Sequence, residues 1–256
     1  VVGTTLVSAA GSDLAAADEL GRRAHALRSA VIGRILDAQR SGVPDSGLRL
    51  FAEGLPAILS RLPMLESATK RVVHNLQQVI PFDPLRRERE LNLRTRIRKI
   101  NGHLIVAPSE HLSLVAACHP DTWVAPVRIA GLAVDERLAL FPGPPSPQGL
   151  PTAWLSTDRN LIAEFCGIWE DVKRLAVPIN DMPGVVRLTE RQLDVAALLS
   201  RGAKDATSAR LLGVSLRTVT SDIGKLMDAF GVATRWEAGM AIGRACPPGL
   251  TGRMGS

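Results

Sequence analysis

The chain has 256 residues, of which 46% are hydrophobic, 22% charged and 4% aromatic, with no tyrosine. This is too long for one small domain and too apolar for a disordered chain, so it suits two domains with aliphatic cores. The net charge of +6 points to an acidic partner, nucleic acid first, while the three scattered cysteines, Cys118, Cys166 and Cys246, exclude a disulfide framework and suit a reducing cytoplasm.

No apolar run reaches the roughly 18 residues of a membrane span, and the first residues lack the order of a signal peptide. Residues 1–12 are small and polar and read as a loose end. From Asp13 to about Arg40 the pattern is helical: Ala17, Leu20, Ala24, Leu27, Val31, Ile35 and Ala38 recur at steps of three and four. So narrow a stripe suits a helix–helix seam, either between two copies of the chain in a homodimer or within one copy. Residues 41–47 form a Gly/Ser/Pro linker. A second helical stretch is predicted from Leu55 to Gln78, interrupted at Pro63 and ended by Pro81-Phe82-Asp83-Pro84.

A mixed α/β region follows. Arg94 to Ile100 alternates as a strand would. His103–Ala107, Trp123–Ile129 and Gly131–Leu140 read as further strands. Residues 142–151 hold five prolines and two glycines and form a loop. Thr152–Ser156 is predicted as an edge strand, Arg159–Arg174 as an amphipathic helix and residues 178–184 as a linker.

The last 70 residues are the most legible. Thr189 can cap a helix, with Gln192 three residues on to complete a capping box. Arg201-Gly202 ends that helix, and a second spans Asp205 to Leu212. Gly213-Val214-Ser215 is a tight turn whose serine caps a third helix, running to Phe230 and ending at Gly231. Its apolar stripe is Val219, Ile223, Leu226, Met227 and Phe230. Thr234 caps a fourth helix through Arg244. Two helices joined by a three-residue turn can place the second in a major groove.

The segment Leu188-Thr189-x-Arg191, Gly202, Leu212-Gly213-Val214-Ser215, Arg217-Thr218-Val219, Gly231-Val232 and Thr234-Arg235 resembles the LuxR-type helix-turn-helix family over about 60 residues. The resemblance implies a cytoplasmic transcription regulator that binds double-stranded DNA. It places Thr220, Ser221 and Gly224 where that family often carries basic or long polar side chains. Its usual histidine falls on Asp222, an acid that phosphate would repel. A common lysine falls on Ala229 and a usually apolar position on Ser208. The DNA-binding candidates are Lys204, Ser215, Arg217, Thr218, Thr220, Ser221, Lys225 and Arg235. From Val185 to Ala245 there are nine basic and six acidic side chains, a net charge of +3.

Val127-Arg128, Ala133 to Pro142 and Ile168-Trp169-Glu170 resemble the central region of actinobacterial LuxR-type regulators with a TrmB-like or degenerate phospholipase-D-like domain. Those proteins often carry an additional N-terminal winged helix, which is not visible in this sequence. A phospholipase-D site needs His, Lys and Asp in the order HxKxxxxD. The nearest match, His111-Leu112-Ser113 before Cys118, lacks the lysine and the aspartate. No catalytic constellation, cofactor motif or compact metal-ligand pattern is recognised; His103, His111 and His119, with Cys118 and Asp121, have no known metal spacing. Trp123, Trp154 and Trp169 could line a small-molecule pocket, with Trp123 and Trp154 the candidates for contacts to an effector. The basic stretch Arg86 to Lys99 interleaves Glu88 and Glu90 and reads as a solvated face.

The expected architecture is mixed α+β. Residues 1–46 form an N-terminal helix and linker, and 47–178 a central α/β domain for sensing or dimerisation. Residues 179–184 are a linker, 185–246 the helix-turn-helix domain and 247–256 a tail. A rival reading keeps the fold but not the DNA binding, and uses a pocket to bind or transform a small molecule.

Overall fold

The computed structural model describes residues 2–83 and 94–246, with side chains from residue 17 onward. The tail at 247–256 and the basic residues Arg86, Arg87 and Arg89 lie outside the described residues. In chain order the described elements are α1 (Val2–Ser41), β1 (Leu48–Glu53), α2 (Leu55–Ala68), β2 (Val72–Gln77), β3 (Asn101–Val106), α3 (Leu112–Cys118), β4 (Trp123–Val124), β5 (Gly131–Val134), β6 (Leu138–Pro142), β7 (Thr152–Ser156), α4 (Arg159–Arg174) and β8 (Val177–Pro178). A 3-10 turn at Ile179–Asp181 follows, then α5 (Glu190–Leu199), α6 (Asp205–Leu212), α7 (Leu216–Phe230) and α8 (Arg235–Ala245). The fold is thus mixed α/β with a long first helix and four C-terminal helices, as expected. No described helix is long and apolar enough to cross a membrane.

The chain divides into two compact units. One comprises residues 1–78, 100–105 and 125–176, the other residues 79–99, 106–124 and 177–256. In the first unit six strands run in the order β1-β7-β6-β5-β2-β3, and the pairs from β1 to β2 are antiparallel. Alternation along β6 sends Leu140 to one face and Phe141 to the other. Leu140 joins Phe51, Leu155 and Leu65 of α2 in one core, and Phe141 meets Phe165 of α4 edge to face at 5.5 Å.

Helix α1 covers α4. Leu20, Ala24, Leu27, Val31 and Ile35 are all buried, while Ala17 and Ala38 at the ends of the predicted stripe are not. Ion pairs flank the seam: Arg23 to Glu164 at 2.8 Å and Asp171 at 2.5 Å, and Arg34 to Asp45 at 2.7 Å and Asp158 at 2.6 Å. Arg34 pulls the Asp45 carboxyl down to about 2. Asp158 also caps α4 through the amides of Asn160 and Leu161. The stripe is therefore filled from within the same chain. The segment expected as a loose end at 1–12 continues the helix back to Val2.

Several expectations change. The predicted strand 131–140 is a hairpin: Asp135 and Glu136 both have positive φ, 50° and 56°, and turn the chain between β5 and β6. The Asp135 carboxylate accepts the amides of Lys70, Arg71 and Val72 at 2.8, 2.8 and 3.0 Å, offsetting that backbone conformation. Those three amides lead into β2, so Val72–Gln77 is a strand where a helix was expected to reach Gln78. Pro63 does not interrupt α2, because Ile58, Leu62 and Leu65 pack on the sheet on either side of it. Residues 94–97 are helical, not extended, with Arg98 N–H bonded to the Arg94 carbonyl at 3.0 Å; the alternation there has no buried face to satisfy. Of Trp123–Ile129 only Trp123–Val124 is strand, and α3 was not expected.

The second unit is mainly helical. Its core gathers Phe82, Leu114, Leu193, Val195, Val219, Ile223, Leu226 and Ile242. Trp123 and Val124 pair antiparallel with Pro178 and Val177. The stretch expected as a plain linker thus begins with β8 and the 3-10 turn, whose Ile179 is fully buried.

Replacing Ile35 with Ala is expected to cost about 2–5 kcal/mol by emptying a buried site in the α1–α4 seam. Urea unfolding should show this as a lower midpoint. Leu27→Lys should likewise unfold the first unit rather than dissociate a folded dimer, as read by circular dichroism beside sedimentation.

Candidate nucleic-acid interface

The site is built from the turns upward. Helix α5 starts in a capping box: Gln192 N–H donates to Thr189 Oγ1 at 3.3 Å and Thr189 N–H to Gln192 Oε1 at 2.8 Å. Helix α6 stops at Gly213, whose φ of 64° is one that glycine adopts at little cost. Ser215 then caps α7 by accepting Thr218 N–H at 3.1 Å. Gly231, with φ 62°, ends α7, and a second capping box, Thr234 with Glu237, starts α8. The predicted helix-turn-helix order is present element by element.

Helix α7 has two faces. Val219, Ile223 and Leu226 are buried in the core, while Leu216, Arg217, Thr220, Ser221 and Lys225 are exposed. Thr218 and Gly224 are partly buried. A Cβ built on Gly224 would meet nothing within 4 Å, so the space beside it is open. Ser208 is buried in α6, in keeping with a position expected to be apolar.

Asp222 corrects an expectation. It does not present its charge to a phosphate but is 1% exposed. Its carboxylate accepts Arg191 Nε at 2.6 Å and Gln192 Nε2 at 3.3 Å, tying α7 to the first turn of α5. That bond raises the pKa of the Arg191 guanidinium. The sequence signal available was the Arg-Gln pair at 191–192 itself, but it lies 30 residues from its partner.

The cations differ in their engagement. Arg235 donates Nε to Asp205 at 2.8 Å and Nη2 to the Ala203 carbonyl at 2.6 Å, so it joins the starts of α6 and α8. Lys204, Arg217 and Lys225 are exposed, and no carboxylate partner is present for them among the described residues. The hydroxyls are also partly used: Ser215 Oγ and Thr218 Oγ1 share a hydrogen bond of 2.8 Å, and Thr220 Oγ1 donates to the Leu216 carbonyl at 3.0 Å.

The other candidates are spread over the two units. Trp154 donates its indole N–H to Thr152 at 3.1 Å and closes over Gly143, where a Cβ would come within 2.4 Å of the ring. Trp123 lies in the β4–β8 pair. A small pocket in the second unit involves neither tryptophan; Phe82, Leu114, His111, Cys118 and His119 line it. His103 belongs to the first unit, where its ring lies 5.5 Å from Trp169; His74, not singled out from sequence, stacks on the same indole at 4.1 Å. Burial lowers the pKa of His74, His103 and His111, and pushes His119 down to about 4. Among the described residues no group of three His, Cys, Asp or Glu side chains could hold a metal ion. Arg96 of the basic stretch pairs with Asp121.

The four helices, capped turn and outward face of α7 define a helix-turn-helix unit accompanied by an α/β unit. No family model and no curated protein matches the chain. Nineteen chains of known structure resemble it at a distance. One is TrmBL2, an archaeal chromatin protein with a novel mode of DNA binding, at 9% identity and a TM-score of 0.40, covering 69% of this chain and 70% of TrmBL2. A second is Nuc, a phospholipase D family member from Salmonella typhimurium, at 8% identity and a TM-score of 0.38, covering 51% of this chain and 95% of Nuc. A third is NucT from Helicobacter pylori, at 12% identity and a TM-score of 0.35, covering 51% and 96%. The LuxR-type resemblance rests on the sequence residues alone.

Asp222→Ala strips Gln192 and Arg191 of their shared acceptor. Loss of about 1–3 kcal/mol is expected, measured by denaturant unfolding, with Asp222→Asn less harmful. A second expectation concerns acid. A histidine held neutral in the fold binds fewer protons than in the unfolded chain. The stability His119 contributes is therefore complete above its ordinary pKa of 6.5 and is lost as pH falls from there toward about 4. His119→Phe should flatten that part of a stability-versus-pH curve.

Proposed function

We propose that this chain is a cytoplasmic, LuxR-type transcription regulator that binds double-stranded DNA through α7. Its α/β unit senses a small-molecule effector or supports a homodimer. The observation that carries the reading is the exposed face of α7. That face begins at a capped N-terminus after a three-residue turn and is held outward by a buried opposite stripe. This is the geometry in which a second helix enters a major groove. Lys204, Arg217 and Lys225 serve as phosphate contacts. Ser215, Thr218, Thr220 and Ser221 lie at or near the base edges, and Arg235 steadies the scaffold beside them. Trp154 remains the proposed effector contact of the α/β unit; Trp123 belongs to the second unit. A homodimer would suit paired half-sites, with a seam other than the stripe buried under α4.

With short side chains on the groove face, phosphate contacts supply much of the affinity. In fluorescence anisotropy with the full chain and promoter fragments from its own neighbourhood, binding should weaken steeply between roughly 50 and 200 mM salt. Lys225→Ala should lower affinity and reduce the salt slope by about one. Failure of every fragment to bind above non-specific competitor would overturn the reading in favour of a small-molecule-binding protein.

A further inference from the structure

The groove face of α7 offers apolar groups where hydrogen-bonding readers would be needed. Leu216, Thr220 and Gly224 are spaced i, i+4 and i+8 and form one row along the helix. Leu216 is 53% exposed although it is a large aliphatic residue. Thr220 is exposed, but its only hydroxyl proton is donated to the Leu216 carbonyl. The side chain then retains a methyl group and an acceptor for a base edge. Gly224 adds nothing beyond the backbone, and the space beside it is open. In the adjacent row Ser221 has a short reach, and the Ser215 and Thr218 hydroxyls are tied to each other. No Asn or Gln, which could pair bidentately with adenine, lies anywhere in α7, and Arg217 is its only arginine.

In the major groove the one apolar group on a base edge is the C5-methyl of thymine. We infer that α7 selects its sites by contact of Leu216 and the Thr220 methyl with thymine C5-methyl groups, while Arg217 stays on the phosphate backbone. This inference rests on the DNA-binding reading above and adds the chemical feature recognised.

The test starts with selection of duplexes from a random pool by the full chain, followed by anisotropy on the enriched site. Replacing individual thymines with deoxyuridine removes only the methyl group. At contacted positions the affinity should drop about three- to fivefold per methyl, the size expected for one buried aliphatic carbon. Thr220→Val keeps the methyl and removes the hydroxyl, so the thymine preference should persist. Thr220→Ser keeps the hydroxyl and removes the methyl, so the preference at one position should vanish. Should a variant fail to fold by circular dichroism, the deoxyuridine series on the unaltered protein decides alone. Equal affinity for thymine and deoxyuridine at every enriched position overturns the inference and leaves the DNA-binding reading intact. Absence of any enriched sequence, with no binding to the pool, overturns both.

Discussion

A carboxylate cannot be taken out of water in a small helical core without partners, since an uncompensated buried charge costs several kcal/mol. Asp222 is such a group, and its partners both come from the first turn of α5. Gln192 does two things at once: its carbonyl oxygen closes the capping box on Thr189, and its amide nitrogen reaches Asp222. The start of one helix is thereby locked to the middle of another. An apolar stripe such as Val219, Ile223 and Leu226 tolerates some rotation, because dispersion contacts are weakly directional. A charge-assisted hydrogen bond of 2.6 Å does not. The rotation of α7 follows from that bond, and with it the identity of the residues that face outward.

Asp135 performs a similar joint in the first unit. It spends its carboxylate on three successive amides at the entry to β2 while its own backbone makes the β5–β6 turn. One side chain so fixes a hairpin and the strand beside it. The sheet it steadies then carries α2 on one face and α4 on the other, with α1 over α4. The two arginines at the α1–α4 seam, Arg23 and Arg34, each hold two carboxylates, which sets the register of a stripe that is otherwise only Leu, Ala, Val and Ile.

What could be read in advance follows the range of the interactions. The four C-terminal helices were legible because their signals are local: Thr189 with Gln192, Gly213 before Ser215, and Gly231 before Thr234 all act within four residues. The hairpin at 131–142 was not, since no glycine or asparagine marks the turn and its support comes from amides about 65 residues away. For the same reason β2 looked like more helix. The stripe on α1 was legible from Leu20 to Ile35, but its partner was not, because a seam looks alike whether the second helix belongs to the same chain or another copy. The burial of Asp222 is set by Arg191 and Gln192, 31 and 30 residues earlier, which no local pattern brings against it. The exposure of Lys204, Arg217, Thr220, Ser221 and Lys225 follows from local helix periodicity, whereas the engagement of Arg235 with Asp205 and Ala203 is seen only in three dimensions.

The short outer face of α7 has a consequence for how such a helix would discriminate among sites. Long basic side chains raise specific and non-specific binding together, because phosphate attracts them at any sequence. The Leu, Thr, Ser and Gly positions raise neither through charge, and a net charge of +3 over residues 185–245 keeps the background attraction modest. What decides occupancy in a genome is the ratio of specific to non-specific affinity rather than the absolute value. Low background with a few close apolar contacts can preserve that ratio at a weaker total affinity. Two copies bound to adjacent half-sites would then recover strength through effective concentration without new contacts on either helix.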